Sequence, residues 1–321
     1  MSLLKRFFPD PLIPAILIAA LCGYLLPVQG RAAHSVELIA NALIVLLFFL
    51  HGAKLPRDEV RAALVHWRLH LVILIATFLL FPCVALALRA LFPALLNNGF
   101  WSGVIFVAIL PSTVQSSIAF TSIARGNVAA AVTAAAASNL AGVIVTPLWA
   151  GVLLNGHGAH VASGGAARIA LLLLLPFILG HALRPMLKQW ITRRAKLVRL
   201  NDRLTIMVSV YAAFSVATIA GVWETLHWAS FGALLLACGL LLGFVMVTVQ
   251  LVARLLGFSR EDRIAIQFVG SKKSIATGMP MARVLFAGPD LGLVTLPIML
   301  FHQLQLMVCA ELARRWGRLQ R

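Results

Sequence analysis

The feature that most constrains this chain is a series of long apolar runs, separated by short connections, that extends through its 321 residues. The runs are continuous rather than alternating, and in a bilayer only helices pair every backbone group within a single segment. At about 20 residues per span, the runs predict an all-α membrane protein with ten transmembrane helices. The predicted spans lie near 12–27, 36–52, 69–92, 100–124, 127–154, 168–185, 205–222, 229–256, 261–287 and 289–312.

The composition argues against an ordinary soluble protein. Only 12% of the residues are charged, whereas soluble globular proteins carry about 25%, so a water-exposed surface could not be covered. The net charge of +17 would suggest nucleic acid in a soluble protein, but no aromatic residues are interleaved with the basic ones. We expect the lipid bilayer and a substrate as partners, and no nucleic acid. No oligomeric state is predicted.

The basic residues are distributed unequally between the two sides of the predicted bundle. Only four of the 27 fall in one set of alternating connections, at Arg31, Arg89, Arg168 and Arg283. Nearly all the others fall in the opposite connections or at the termini, and the basic stretch 184–203 is predicted to be a solvated loop. By the positive-inside rule, this asymmetry predicts both termini in the cytoplasm, and we place the protein in a bacterial inner membrane.

Ten spans divide into two halves of five, which we place at 1–158 and 159–321. A second half that repeats the first would then be inverted in the membrane, as in many transporters. The fourth span of each half carries a helix breaker and a polar cluster, LPSTVQSS at 110–117 and VGSKKSIATG at 269–278. Corresponding interrupted spans indicate a transport site. The alternative is a pair of kinks inside a packed bundle, with Ser and Thr bonded to the backbone.

Two adjacent lysines, Lys272 and Lys273, lie in the middle of the ninth run. A lysine at this depth costs about 2.5–3.5 kcal/mol, and all ten Asp and Glu residues map to span ends or loops. The lysines must therefore be compensated by helix C-terminal carbonyls, by deprotonation, or by an anion that the substrate brings. Half-helix N-termini would attract the same anion, and we infer an anion-accepting cavity.

The predicted binding residues are the polar side chains of these two spans and of the last one. The predicted substrate-binding set is Ser112, Thr113, Gln115, Ser271, Lys272, Lys273, Ser274, Thr277 and Gln303. No motif for hydrolytic, metal-dependent or nucleophilic catalysis is present, so we expect no enzyme, no catalytic residues and no organic cofactor.

Several of these motifs resemble one known family. Residues 111–117, 124–128 and 146–147 resemble spans 4 and 5 of the bile acid:sodium symporter superfamily, and residues 49–55 resemble the end of its span 2. Residues 270–274 resemble the branch called SBF-like, which includes the seventh member of the vertebrate carrier family and related bacterial proteins.

The resemblance implies a particular architecture for the ten spans. Two inverted repeats would form a panel domain from spans 1, 2, 6 and 7 and a core domain from spans 3–5 and 8–10. Spans 4 and 9 would break and cross within the core domain.

The resemblance also bears on sodium. The better-known branch holds sodium with polar side chains of spans 4 and 5 and an acid of span 9, which puts the possible cation site here at Ser116, Ser117, Thr133, Ser138 and Asn139. The acid falls near Phe268 and the family's glutamine falls on Lys272. Ammonium groups could take the place of bound cations. This argues against the two sodium sites that the resemblance implies, more strongly against the second than against the first. Na⁺ is the one bound ion that the resemblance suggests, and the sequence does not predict whether transport is coupled to Na⁺, to protons or to no ion.

Together these features predict a secondary active transporter of an organic anion, similar to a bile acid or sterol conjugate, that works by alternating access. The alternative is a membrane regulator or receptor that binds an anionic lipid or sterol without moving it. Both need the same pocket, and only the first needs movement of one domain against the other.

Overall fold

The computed structural model describes residues 12–54, 66–154, 170–225, 227–286 and 288–318, and every regular element in these ranges is helical. The helices are α1 (Leu12–Leu25), α2 (Gly30–Lys54), α3 (Trp67–Ile75), α4 (Phe81–Leu91), α5 (Asn98–Ile109), α6 (Gln115–Ile123), α7 (Val128–Leu154), α8 (Leu175–Ala182), α9 (Arg184–Arg193), α10 (Ala195–Ile219), α11 (Trp228–Leu255), α12 (Arg260–Gly270), α13 (Ile275–Leu285) and α14 (Pro289–Arg318). Short π-helical turns at Ala76–Leu80 and Ala170–Leu174 precede α4 and α8.

Six of the described helices are long and apolar enough to cross a membrane. They are Gly30–Lys54, Trp67–Leu91, Val128–Leu154, Ala195–Ile219, Trp228–Leu255 and Asp290–Arg318. A seventh is present if α8 and α9, which are bent by 93° to each other, form one span. The prediction of an all-α, multi-pass membrane protein is therefore confirmed, whereas ten spans in two inverted repeats stay a prediction. The boundary at 158 and 159 lies outside the described residues.

The basic stretch 184–203 is not the solvated loop that the charge pattern predicted. It forms α9 and the first turns of α10, and the span predicted at 205–222 belongs to a helix that begins at Ala195. Arg199 and Arg203 consequently lie on the helix that continues into the span.

The described helices pack in two groups. In the first, α2 packs on α8 and on α10, and α10 packs on α1. In the second, α14 packs on α5 and α11, and α12 packs on α3, α6, α7 and α11. Between the groups, α10 contacts α13 and α14, so the cleft described below lies along α10.

The closest helix approach in the first group depends on two glycines. A Cβ atom on Gly52 of α2 would overlap the carbonyl of Phe177, and one on Gly180 of α8 would overlap the carbonyl of Phe49. Small residues of this kind let helix backbones approach closely in membranes, where dispersion forces rather than hydrophobicity hold helices together.

We expect the Gly180→Ala variant to lower the free energy of unfolding by about 1–3 kcal/mol, because the added methyl group must push α8 away from α2. The melting temperature of the detergent-purified protein measures the effect. The control is Gly239→Ala on α11, where no atom lies within 4 Å of an added Cβ. Equal melting temperatures for the two variants would show that the close approach does not stabilise the fold.

Candidate functional site

The backbone leaves helical geometry in the middle of both predicted interrupted spans. The first break, residues 110–114, separates α5 from α6, and the second break, residues 271–274, separates α12 from α13. Pro111 explains the first break, because proline disfavours the α conformation at the residue before it, and Leu110 is extended with φ −69° and ψ 153°.

The first break exposes backbone carbonyls that the helix would otherwise pair. An unpaired carbonyl in hydrocarbon costs several kcal/mol, yet five consecutive carbonyls accept hydrogen bonds from outside α5. Lys273 Nζ donates to Ala108 at 2.7 Å and to Leu110 at 2.8 Å, Thr146 Oγ1 to Ile109 at 2.8 Å, the Ser274 amide to Pro111 at 2.8 Å, and Asn139 Nδ2 to Ser112 at 2.8 Å.

The backbone at the second break is in turn hydrogen-bonded by side chains of the first break, of α6 and of α14. The hydroxyl of Ser117 donates to the carbonyl of Phe268 at 2.7 Å, and the hydroxyl of Ser112 donates to the carbonyl of Val269. The side-chain amide of Gln305 accepts from the N–H of Lys273 at 2.8 Å and donates to its carbonyl at 2.7 Å. The two breaks therefore lie against each other and satisfy one another's backbone.

The two lysines of the second break point to different surroundings. Lys273 is buried, and its Nζ donates to the carbonyls of Thr77, Ala108 and Leu110. Lys272 is also buried, and its Nζ donates to Ser116 Oγ at 3.1 Å and lies 4.3 Å from the centre of the Phe120 ring. Neither lysine lines the cavities described next. The sequence pattern, in contrast, predicted an anion-accepting cavity at the two lysines.

Two adjoining cavities of about 120 and 270 Å³ lie between the two helix groups. We call the two cavities together the cleft. They share five polar lining residues: His51, Gln115, Asn139, Asp202 and Thr277. The cleft therefore has walls from α2 and α10 on one side and from α6, α7 and α13 on the other.

Both half-helices that follow the breaks start at the cleft. Gln115 and Ser116 form the first turn of α6, and Ile275, Ala276 and Thr277 form the first turn of α13. Backbone N–H groups in a first helical turn have no helical acceptor, and the helix dipole adds partial positive charge there. The buried hydroxyl of Thr277 has no hydrogen-bond partner in the described part of the chain.

Cationic side chains outnumber carboxylates around the cleft. Arg199 and Arg203 of α10 and Lys54 of α2 are lining residues, and Asp202 is the one lining carboxylate among the described residues. Lys54 pairs with Asp202 at 3.2 Å. The net positive charge and the two helix N-termini would both favour an anion.

The structure separates the predicted binding residues into two sets. Those that line the cleft are Thr113, Gln115, Ser274 and Thr277, with Ser116 and Asn139 from the possible cation site. Those that do not are Ser112, Ser271, Lys272, Lys273 and Gln303, with Ser117, Thr133 and Ser138 from the possible cation site.

The five residues of the possible cation site do not form one ligand set. Ser117 is bonded to the carbonyl of Phe268, and Ser138 Oγ accepts from the Ser112 amide at 3.0 Å. Thr133 lies apart on α7 and donates to the backbone of its own helix. A buried phenyl ring stands at position 268, where the resemblance puts an acid, so these residues do not fit a sodium ion.

Several residues of the site were missed in the sequence, among them Arg199, Arg203, His302 and Gln305. Arg199 and Arg203 were assigned to a loop, although their spacing of four residues puts them on one face of a helix. His302 and Gln305, three residues apart on α14, take the place expected for Gln303, because His302 lines the cleft and Gln305 holds the second break. The sequence signal for His302 and Gln305 is their spacing of three residues, which puts both polar side chains on one face of the last helix.

Sequence comparisons place the chain in one transporter family. Residues 10–318 match the model of the SBF-like CPA transporter family. An uncharacterised protein of Pseudomonas aeruginosa is 46% identical over 314 residues, which cover 98% of this chain and 94% of that protein. YfeH of Escherichia coli, named as a proposed symporter, is 43% identical over 309 residues, or 96% of this chain and 93% of that protein. Sodium/bile acid cotransporter 7 of Mus musculus is 27% identical over an alignment of 323 positions, which covers 96% of this chain and 92% of that protein.

We expect Gln305→Leu to destabilise the protein strongly, because the N–H and C=O of Lys273 lose their partners at about 1–3 kcal/mol each. The melting temperature should fall well below that of Gln250→Leu, which makes the same chemical change at a half-buried residue whose side-chain oxygen has no partner. Similar melting temperatures for the two variants would contradict the role of Gln305 in holding the second break.

Proposed function

Since the chain belongs to the SBF-like CPA transporter family, we propose that it is a secondary transporter that carries an organic anion across the membrane by alternating access. The observation that carries this proposal is the cleft, where the N-termini of α6 and α13 meet Arg199 and Arg203. An anionic group placed there would accept hydrogen bonds from first-turn amides and from the Thr277 hydroxyl.

A substrate with one anionic end and an apolar body suits the two parts of the cleft. The larger cavity is walled by apolar side chains, among them Phe48, Val132, Leu140 and Phe177. The smaller cavity holds most of the polar groups and the two arginines. We propose a bile-acid-like or sterol-conjugate-like anion, and the mouse relative is named for a bile acid.

A second crevice supports alternating access. It has a volume of about 420 Å³ and is lined by His34 and Glu37 of α2, Ser215 of α10, and Arg283 of α13. The cleft and this crevice therefore lie at opposite ends of the same interface between α10 and α13. A small rotation of one helix group against the other would close one and open the other.

We propose that the first helix group is the panel domain and the second is the core domain. Ten spans result if α3 with α4, α5 with α6, α8 with α9, and α12 with α13 are counted as one span each. The cleft then opens to the cytoplasm, because Arg199, Arg203 and Lys54 lie at its end of the interface. Both termini would be cytoplasmic, in the inner membrane of a bacterium.

We also propose that transport does not require sodium. The ammonium group of Lys272 bonds Ser116, and the ring of Phe268 fills the position that the resemblance gives to an acid. A sodium ion at this place would meet a positive charge and too few oxygen ligands. Coupling to protons stays open, since Lys272 is separated from the cleft by a single hydroxyl, that of Ser116.

We expect Arg203→Gln to weaken binding of taurocholate, an organic anion of the proposed class, about tenfold, since hydrogen bonds to charged groups contribute about 1.5–3 kcal/mol. Isothermal titration calorimetry of the purified protein measures the affinity. The control is Arg194→Gln, which removes the same charge from an exposed residue outside the cleft. Equal affinities for the two variants would place the anion elsewhere.

We expect net flux of taurocholate into liposomes that contain the purified protein, at the same rate with external sodium as with choline. Flux that requires sodium would contradict the proposed independence from sodium. Binding without flux in either salt would contradict transport and favour the alternative, a regulator that holds an anionic lipid or sterol in the same cleft.

A further inference from the structure

The ammonium group of Lys273 lies in a cradle of three backbone carbonyl oxygens. Its Nζ is 2.6 Å from Thr77 O, 2.7 Å from Ala108 O and 2.8 Å from Leu110 O. The first oxygen comes from the π-helical turn between α3 and α4, and the other two come from the end of α5. The lysine side chain is 2% exposed, so the cradle is closed to solvent.

Two prolines free these carbonyls. In the π-helical turn the N–H of Phe81 bonds the carbonyl of Ala76, and Pro82 has no N–H to give to Thr77. At the first break Pro111 ends α5, and the Ser112 amide, the helical partner of Ala108, turns to Ser138. The cradle is thus a product of two helix defects in different spans, which the fold brings together.

The geometry fits the protonated form of Lys273. An ammonium group has three N–H donors, one for each oxygen, whereas a neutral amine has two and would direct its lone pair at the third oxygen. No carboxylate pairs with Lys273 in the described part of the chain. The charge is balanced instead by the C-terminal end of the α5 dipole and by the ring of Phe81, whose centre lies 4.1 Å from Nζ.

Converging carbonyl oxygens are the ligands that replace the hydration shell of an alkali ion in proteins. An ammonium group resembles a dehydrated potassium ion in charge and size. We propose that Thr77, Ala108 and Leu110 form a monovalent-cation site whose permanent occupant is the ammonium group of Lys273. This site goes beyond the proposed function, because it requires neither a substrate nor transport.

A covalently attached cation has a physical consequence. A dissolved ion would leave the site as its concentration falls, whereas the lysine cannot leave. The contacts between α4, α5 and the second break are therefore independent of the salt around the protein. No ion is exchanged at this site when the helix groups move.

The test is to remove the side chain and supply the cation from solution. In Lys273→Ala the three oxygens lose their ligand, and in choline chloride we expect a lower melting temperature than wild type. Potassium, sodium or methylammonium chloride should raise it by at least about 3 °C, since a ligand that binds only the folded state stabilises it. The wild-type melting temperature should be the same in all four salts.

Two variants serve as controls. Lys273→Met fills the same volume with an apolar chain, so it should be destabilised and no cation should restore it. Lys272→Ala removes the neighbouring ammonium group, which has a single oxygen partner, and its melting temperature should not depend on the cation.

Three results would overturn the proposal. One is a melting temperature of Lys273→Ala that is identical in all four salts. Another is equal recovery of Lys273→Met by the same cations. The third is aggregation of Lys273→Ala in both choline chloride and potassium chloride. If the site binds a cation, a variant that aggregates in choline chloride should still fold in potassium chloride. Loss of taurocholate binding or flux would not bear on it, because stability alone is measured.

Discussion

The structure depends on the mutual pairing of two unwound segments inside the membrane. A broken helix at this depth cannot turn to water, so every freed N–H and C=O must find a partner in protein. The first break has surplus carbonyls, and the second break supplies donors through Lys273 and the Ser274 amide. In return, Ser112 and Ser117 bond the carbonyls at the end of α12. Neither break would be stable alone, and this fixes the positions of the helices around them.

The same pairing accounts for the chemistry of the cleft. The carbonyl ends of α5 and α12 are occupied by side chains from within the protein, so the negative ends of the half-helices are already satisfied. The N-terminal ends of α6 and α13 face the cleft, where Thr277 has an unpaired hydroxyl in the described part of the chain. The carbonyl ends are bonded from within and the amide ends are left for a ligand. An anion is the ligand that this polarity favours.

Two adjacent lysines have acquired different roles because the segment between α12 and α13 is not helical. Their side chains leave the backbone towards different helices, one to the carbonyls of Thr77, Ala108 and Leu110 and the other to Ser116 and the ring of Phe120. Of the three forms of compensation considered for a lysine in hydrocarbon, helix C-terminal carbonyls serve Lys273. Lys272 has one hydroxyl, that of the cleft residue Ser116, and an aromatic face.

The sequence by itself determined the all-helical membrane class, both helix breaks and the presence of two lysines without a carboxylate, because apolar runs, Pro111 and charge are local properties of the chain. The tertiary structure alone decided that Gln305 rather than Gln303 bonds the second break, that Arg199 and Arg203 line the cleft, and that Thr77 contributes to the cradle of Lys273. These outcomes join residues that are far apart in the chain, such as Lys273 and Thr77. Local patterns show which groups lack a partner, but long-range packing selects the partner that each one meets.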